Sequence, residues 1–277
     1  MTYNNKAMTD SSESKVWKRI ECDLSALQPQ PLTDSDIHVW CASLNVSPED
    51  LSDYVSLLSP DEKTRAERFY FEKDRDYFSV GRGLLRILIG HYLKIIPSQI
   101  EFFYEDHGKP TLKSVLQDKT FEFNLSHSKG MALYIFNWHR KVGIDVEHIH
   151  PMPDMDDFAE RFFSPRESAL INSLSGQQKE AVFFKLWTCK EAFLKANGNG
   201  LTLPINQVEI SLENEGHIKL EPIGEEKEQT ADWRLELFNP VPGYQAALAI
   251  EGNGAAPPTT TSLFLTFPPA IFSEPII

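Results

Sequence analysis

The sequence predicts an α+β protein. Apolar spacing switches along the chain between two and three-to-four, so strands and helices are both present. They alternate without a uniform βαβ rhythm, and no GxGxxG, P-loop or GxSxG motif marks a doubly wound nucleotide or hydrolase fold. At 277 residues the chain is long enough for one large domain or two small ones. No internal repeat is evident.

Taken in order, residues 1–33 read as a flexible polar tail. "IHVWCASL" (37–44) reads as a strand. "LSPDEKTRAERF" opens a helix, with Ser59 at N-cap, Pro60 at N1 and Glu62 at N3. Residues 75–94 are a strong helix, in which Phe78, Leu85, Leu88, Ile89 and Tyr92 recur at helical spacing. "IEFFYEDHGKPTL" starts as a strand and turns at Gly108 and Pro110. "FEFNLSHSKGMALYIFN" reads as strand, tight polar turn, strand, and "VGIDVEHI" as a further strand. "FFSPRESALINSL" opens a second capped helix, with Ser164, Pro165 and Glu167 in the same three roles. A helix over 180–196 ends at Asn and Gly. Strands at "VEISL" and "YQAALAIE" close the globular part, and 253–277 is a Pro/Thr-rich extension.

Composition removes several function classes. The net charge of −13 argues against nucleic acid as the partner. No apolar run is long enough to span a membrane, which takes about 18 residues or more. The polar N-terminus lacks a signal core. Cys22, Cys41 and Cys189 are scattered and odd in number, which suits neither a disulfide framework nor a thiolate zinc site. A reducing cytoplasm is the expected home. Against the acidic background, the basic stretch containing Lys63, Arg65, Arg68, Lys73 and Arg75, followed by Arg82 and Arg86, is either a solvated helix face or a phosphate-binding surface.

In "VGIDVEHIH" (142–150) the strand period puts Asp145 and Glu147 on one face, roughly 6.5 Å apart. Like charges at that distance repel unless a cation or a basic group sits between them. Hard oxygen ligands favour Mg²⁺ held together with substrate phosphates. The His148/His150 pair, lying beyond the strand, is a poor zinc site. In the helix 180–196, Phe183, Leu186, Trp187, Phe193 and Leu194 form an apolar arc flanked by Glu191 and Lys195. Lys190 falls inside that arc and requires a partner or a polar cavity. "NLSHSKG" gathers Asn124, Ser126, His127, Ser128 and Lys129 at a turn, a set suited to an oxyanion, a Ser-His nucleophile or a plain hairpin. "HGKP" adds Gly108 and Lys109. Glu167 reads as a capping-box residue or a catalytic carboxylate.

The ordered set "GKP" (108–110), "NLSHS" (124–128), "GIDVE" (143–147), "FFSPRE" (162–167) and "WTCKEAFLKANGNGL" (187–201) closely resembles the Sfp-type 4′-phosphopantetheinyl transferases, over residues 34 to 250. The resemblance implies two similar α+β halves, 34–138 and 139–252, with the active site in the cleft between them. It implies transfer of the phosphopantetheine arm of coenzyme A to a serine of an apo acyl- or peptidyl-carrier protein, with release of 3′,5′-ADP. A chain holding both halves would act as a monomer. By the same resemblance Asp145, Glu147 and Glu191 ligate Mg²⁺. Glu191 also serves as base, with Glu167 its competitor, and Lys195 contacts the diphosphate. Arg65, Lys109, Ser126 and His127 would hold the nucleotide and its 3′-phosphate, with Gly108 and Asn124 also contacting the cofactor; Lys63, Arg68 and Lys129 are weaker candidates. The alternatives are a Mg²⁺-dependent nucleotide diphosphate hydrolase and a non-catalytic module that binds coenzyme A or a carrier.

Overall fold

One order of elements runs twice along the chain. The structure, a computed structural model, describes residues 18–23, 31–105, 108–112, 120–198, 204–212, 218–222, 233–252 and 259–266. After β1 (Lys18–Asp23) the first half runs β2 (Asp36–Ser43), α1 (Pro48–Leu57), α2 (Pro60–Ala66) and α3 (Glu72–Leu93). A 3-10 turn at Pro97–Gln99 leads to β3 (Phe102–Tyr104), β4 (Pro110–Leu112), β5 (Phe121–Ser128) and β6 (Met131–Trp138). The second half repeats this as β7 (Val142–His148), α4 (Met155–Phe162), α5 (Pro165–Asn172) and α6 (Gly176–Asn197). A 3-10 turn at Ile205–Gln207 then leads to β8 (Val208–Leu212), β9 (Ile218–Pro222), β10 (Trp233–Phe238) and β11 (Tyr244–Glu251). Strand order agrees too: β2-β6-β5 in the first sheet matches β7-β11-β10 in the second.

Strand alternation builds the core in three layers. Ile37, Val39, Leu133 and Ile135 of the first sheet pack against Val142, Ile144, Val146 and Leu248 of the second, so the sheets share one apolar layer. The opposite face of the first sheet, with Trp40, Tyr134 and Phe136, packs on Leu84, Leu85 and Leu88 of α3. The opposite face of the second sheet packs on α6 through Ala247, Ala249, Phe183, Leu186 and Phe193. On β7 this alternation turns Gly143, Asp145 and Glu147 away from the shared layer. Gly143 is the close-approach point: a Cβ there would stand 2.1 Å from the Ala192 carbonyl oxygen and 2.5 Å from the Ala196 nitrogen, so only glycine lets α6 lie this near β7.

A buried ion pair recurs in each half. Glu62 accepts from the Ser59 N–H at 3.0 Å and pairs with Arg86 Nη2 at 2.7 Å. Glu167 accepts from the Ser164 N–H at 2.7 Å and pairs with Lys190 at 2.8 Å. Arg86 and Lys190 each occupy the fifteenth position of a 22-residue helix. Arg86 donates to the carbonyls of Pro97 and Ile100, and Lys190 to those of Ile205 and Val208, so each cation clamps the 3-10 turn of its own half. The repeat is therefore structural, carried by an S-P-x-E box and a distant cation that sequence comparison passes over.

The termini depart from the expectation. Lys18–Asp23 is a strand, not part of a loose tail, and Thr259–Thr266 is a strand, not part of an appendage. β12 (Thr259–Thr266) lies between β1 and β2, parallel to both. Its pairing partners are so distant in sequence that no local pattern announces them. The remainder of the two tails, 1–17, 24–30, 253–258 and 267–277, lies outside the described residues. Helices α1 and α4 were not expected; α1 carries the usual start signals, Ser47 at N-cap and Pro48 at N1.

Candidate active site

The edge where β5 of the first half meets β7 of the second is fixed by side chains. Asn124 Oδ1 accepts from the Ile144 N–H at 3.0 Å. Ser126 Oγ donates to Asp145 Oδ1 at 2.9 Å, and Ser128 Oγ to Glu147 Oε2 at 2.8 Å. Alternate residues of β5 thus reach across to successive points of β7, at Ile144, Asp145 and Glu147. The turn after β5 is tight because Lys129 and Gly130 both take positive φ, 46° and 85°.

A cavity of about 560 Å³ opens along this seam. Arg65 of α2 and Phe78, Gly81 and Arg82 of α3 line one wall, Gly108, Lys109, Asn124, Ser126 and His127 another, and Glu191 and Lys195 of α6 the third. The structure therefore brings together all the residues assigned to nucleotide binding from the sequence, and two of those assigned to chemistry. Asp145 stands just behind the wall: Lys195 Nζ donates to its Oδ1 at 2.6 Å and to Ser126 Oγ at 3.0 Å. Lys109 Nζ caps the C-terminal end of α6 through the Lys195 carbonyl at 2.9 Å, where helix carbonyls lack intrahelical partners.

The carboxylates share one electrostatic environment. Burial raises the Glu191 pKa, Lys195 opposes the rise, and Asp145 and Glu147 add to it. Burial likewise raises Glu147, with Asp145 adding. Asp145 is 3% exposed, and its Oδ2 is buried with no hydrogen bond among the described residues. Carboxylates that raise one another's pKa, one of them with an oxygen lacking a hydrogen bond, are of the residue type that a hard cation such as Mg²⁺ would answer. Among the described residues, no three acidic, imidazole or thiol groups stand close enough to form a preassembled metal site. His127 is exposed on its strand, yet its imidazole is held below the usual range, by desolvation first and by Lys195 second.

Other candidates fall elsewhere. Glu167 is 2% exposed and does not line the cavity. Its Oε2 holds Lys190 and the Ser164 N–H, and its Oε1 accepts from the Ile210 N–H at 2.7 Å. That commitment removes it as a competitor for the base, and it supplies the partner that Lys190 required. Lys63, Arg68 and Lys129 are exposed and do not line the cavity. Phe78 lines it without having been singled out for this role, and Arg82 lines it as one member of the basic stretch that the sequence offered as a phosphate-binding surface or a solvated helix face.

A duplicated α+β fold with a cleft lined by Arg65, Arg82, Lys109, Lys195 and Glu191 suits the class of protein that takes a phosphate-bearing ligand. Residues 141–249 match the 4′-phosphopantetheinyl transferase superfamily and residues 42–135 the N-terminal region of 4′-phosphopantetheinyl transferases. The chain is 41% identical over 227 residues to the 4′-phosphopantetheinyl transferase HetI of Nostoc sp. strain PCC 7120, covering 82% of this chain and 92% of that protein. It is 28% identical over 203 residues to the 4′-phosphopantetheinyl transferase Sfp of Bacillus subtilis, covering 73% and 86%. Among solved structures, the holo-[acyl-carrier-protein] synthase of Thermotoga maritima aligns with a TM-score of 0.32 at 26% identity, over 41% of this chain and 63% of that one. The chain belongs to the 4′-phosphopantetheinyl transferase superfamily and is an enzyme of that transferase class.

Proposed function

We propose that the chain transfers 4′-phosphopantetheine from coenzyme A to a serine of an apo acyl- or peptidyl-carrier protein, with Asp145, Glu147 and Glu191 as the Mg²⁺ set. The observation that carries this reading is the seam itself: Asp145 is held by Lys195 and Ser126 beside a cavity lined by cations from both halves. Bound there, Mg²⁺ would neutralise the diphosphate and its leaving group. Glu191, the one carboxylate of the set that lines the cavity, draws the proton from the carrier serine. The serine oxygen then bonds to the phosphorus bearing the pantetheine, the bond from that phosphorus to the bridging oxygen breaks, and 3′,5′-ADP leaves with the electron pair. Lys195 follows the negative charge as it develops on the departing oxygen. Lys109, Ser126, His127 and Arg65 hold the nucleotide.

One chain supplies every wall of the cleft, which fits a monomer, and the buried cysteines Cys41 and Cys189, neither in a disulfide, fit a reducing cytoplasm. Native and intact mass spectrometry of the full chain with coenzyme A, Mg²⁺ and a panel of apo carriers tests the reading. The expected result is monomeric enzyme and a phosphopantetheine gain on carrier, slowed about 10²–10³-fold or more in Asp145→Ala. Hydrolysis of coenzyme A with no gain on any carrier would overturn it.

A further inference from the structure

Two hydroxyls of β5 face the two carboxylates of β7, and an N–H donor holds each hydroxyl from behind. Lys195 Nζ donates to Ser126 Oγ at 3.0 Å, and Ser126 Oγ in turn donates to Asp145 Oδ1 at 2.9 Å. The His148 N–H donates to Ser128 Oγ at 3.2 Å, and Ser128 Oγ in turn donates to Glu147 Oε2 at 2.8 Å. A serine hydroxyl carries a single proton and accepts on its lone pairs. With an N–H already on the oxygen, the proton is directed at the carboxylate.

The two rungs differ in what else they meet. Ser126 and Lys195 line the cavity, so they belong to the ligand's own contacts. Ser128 does not line it, and its donor is a backbone N–H. The turn after Ser128 is gripped from both halves. Tyr244 Oη of β11 donates to the Lys129 carbonyl at 3.1 Å. On the other side, a Cβ at Gly130 would stand 2.7 Å from both Tyr77 Oη and Asn45 Nδ2, and Tyr77 Oη donates to Asn45 Oδ1 at 2.8 Å. Ser128 is therefore a fixed point beside a long, partly exposed side chain at the end of β7.

We propose that Ser128 is a positioning residue, which by engaging Oε2 holds the Glu147 carboxylate in one orientation and so strengthens its grip on the divalent cation. The inference rests on the Mg²⁺ reading of Asp145, Glu147 and Glu191. Without that bond Glu147 would give up rotamer freedom each time the ion bound. Carboxylates that ligate metals are themselves hydrogen-bonded, and loss of such an outer partner costs about 10–100-fold in metal affinity.

Calorimetric titration of Mg²⁺ into the full chain in excess coenzyme A, with the heat of Mg²⁺ into coenzyme A alone subtracted, tests it. Ser128→Ala is expected to weaken Mg²⁺ binding about tenfold or more, and Ser128→Thr, which keeps the hydroxyl, to stay within about threefold of wild type. Ser128→Cys, similar in size but a weak donor, is expected to fall with the alanine variant, and it carries the test if that variant does not fold. A hydroxyl that served only the fold would lower the urea midpoint and leave Mg²⁺ affinity alone. Affinity within about twofold of wild type in folded Ser128→Ala or Ser128→Cys protein would therefore overturn the inference and leave the Mg²⁺ reading standing. Wild-type protein that took up no Mg²⁺ would overturn both.

Discussion

Lys190 sits inside the apolar arc of α6, with its ammonium 2.8 Å from Glu167 and bonded to the carbonyls of Ile205 and Val208. Burial lowers its pKa, and Glu167 opposes the shift. Such a pair adds little net stability, because desolvation of both ions offsets their attraction, yet removing one partner strands the other. Glu167→Ala is therefore expected to cost about 3–5 kcal/mol, read by urea denaturation. The double variant Glu167→Leu, Lys190→Met keeps volume and removes both charges; it is expected to recover most of that loss and to retain carrier modification. A stable double variant as inactive as Asp145→Ala would instead place Glu167 in the chemistry. The arithmetic for Asp145 differs. Its Oδ1 is answered by Lys195 and Ser126, while its Oδ2 has no hydrogen bond among the described residues, which supports the proposed ligand role.

Helix α6 and strand β7 act as one functional unit, because β7 supplies Asp145 and Glu147 and α6 supplies Glu191 and Lys195. Their spacing is set at Gly143, two residues before Asp145, where a Cβ would overlap backbone atoms of Ala192 and Ala196. Backbone cannot rotate away as a side-chain tip can, so the helix must shift. Gly143→Ala is expected to lower stability by about 3 kcal/mol, the upper part of the range for overpacked sites. The shift also separates Lys195 from Asp145. Turnover measured on the folded fraction should then fall by far more than the fraction unfolded explains; turnover per folded molecule equal to wild type would show that the spacing is unimportant. The glycine that opens "GIDVE" would then be a packing residue whose effect is catalytic.

Across the whole molecule, what the sequence made legible is what short-range periodicity encodes. The alternation in β7 and the caps at Ser59 and Ser164 all stand in the structure, as does the Asn-Gly end of α6, where Gly198 adopts φ 77°. Asp145 was readable because strand alternation fixes the direction it faces, whereas Asn124 and Ser126, expected at a turn, lie on β5. Arg82 was readable only as one member of a basic stretch, because its incomplete pairing depends on Glu62 being engaged by Arg86, a fact of three dimensions. The same holds for β12, whose partner β2 is more than two hundred residues away. The halves are joined by an apolar layer, and the first half carries a titratable weakness. His38 Nδ1 lies 2.7 Å from Tyr92 Oη, which also accepts from Trp40 Nε1 at 2.7 Å, so the imidazole helps tie β2 to α3. Burial lowers His38 to about 4, with Asp36 opposing, and lowers the neighbouring His91 to about 4, with Lys94 adding. Both are neutral when folded and ordinary when unfolded, so the unfolded chain binds more protons between about pH 6.5 and 4. Their stabilising contribution is complete above pH 6.5 and is lost as pH falls toward 4, by on the order of a few kcal/mol for the pair. Glu147 and Glu191, whose pKa values are raised, act in the opposite sense on acidification, so the difference between variants isolates the histidines. Urea midpoints of wild type should drop steeply across that window, and those of His38→Gln, His91→Gln much less; parallel curves would mean that acid lability arises elsewhere in the fold.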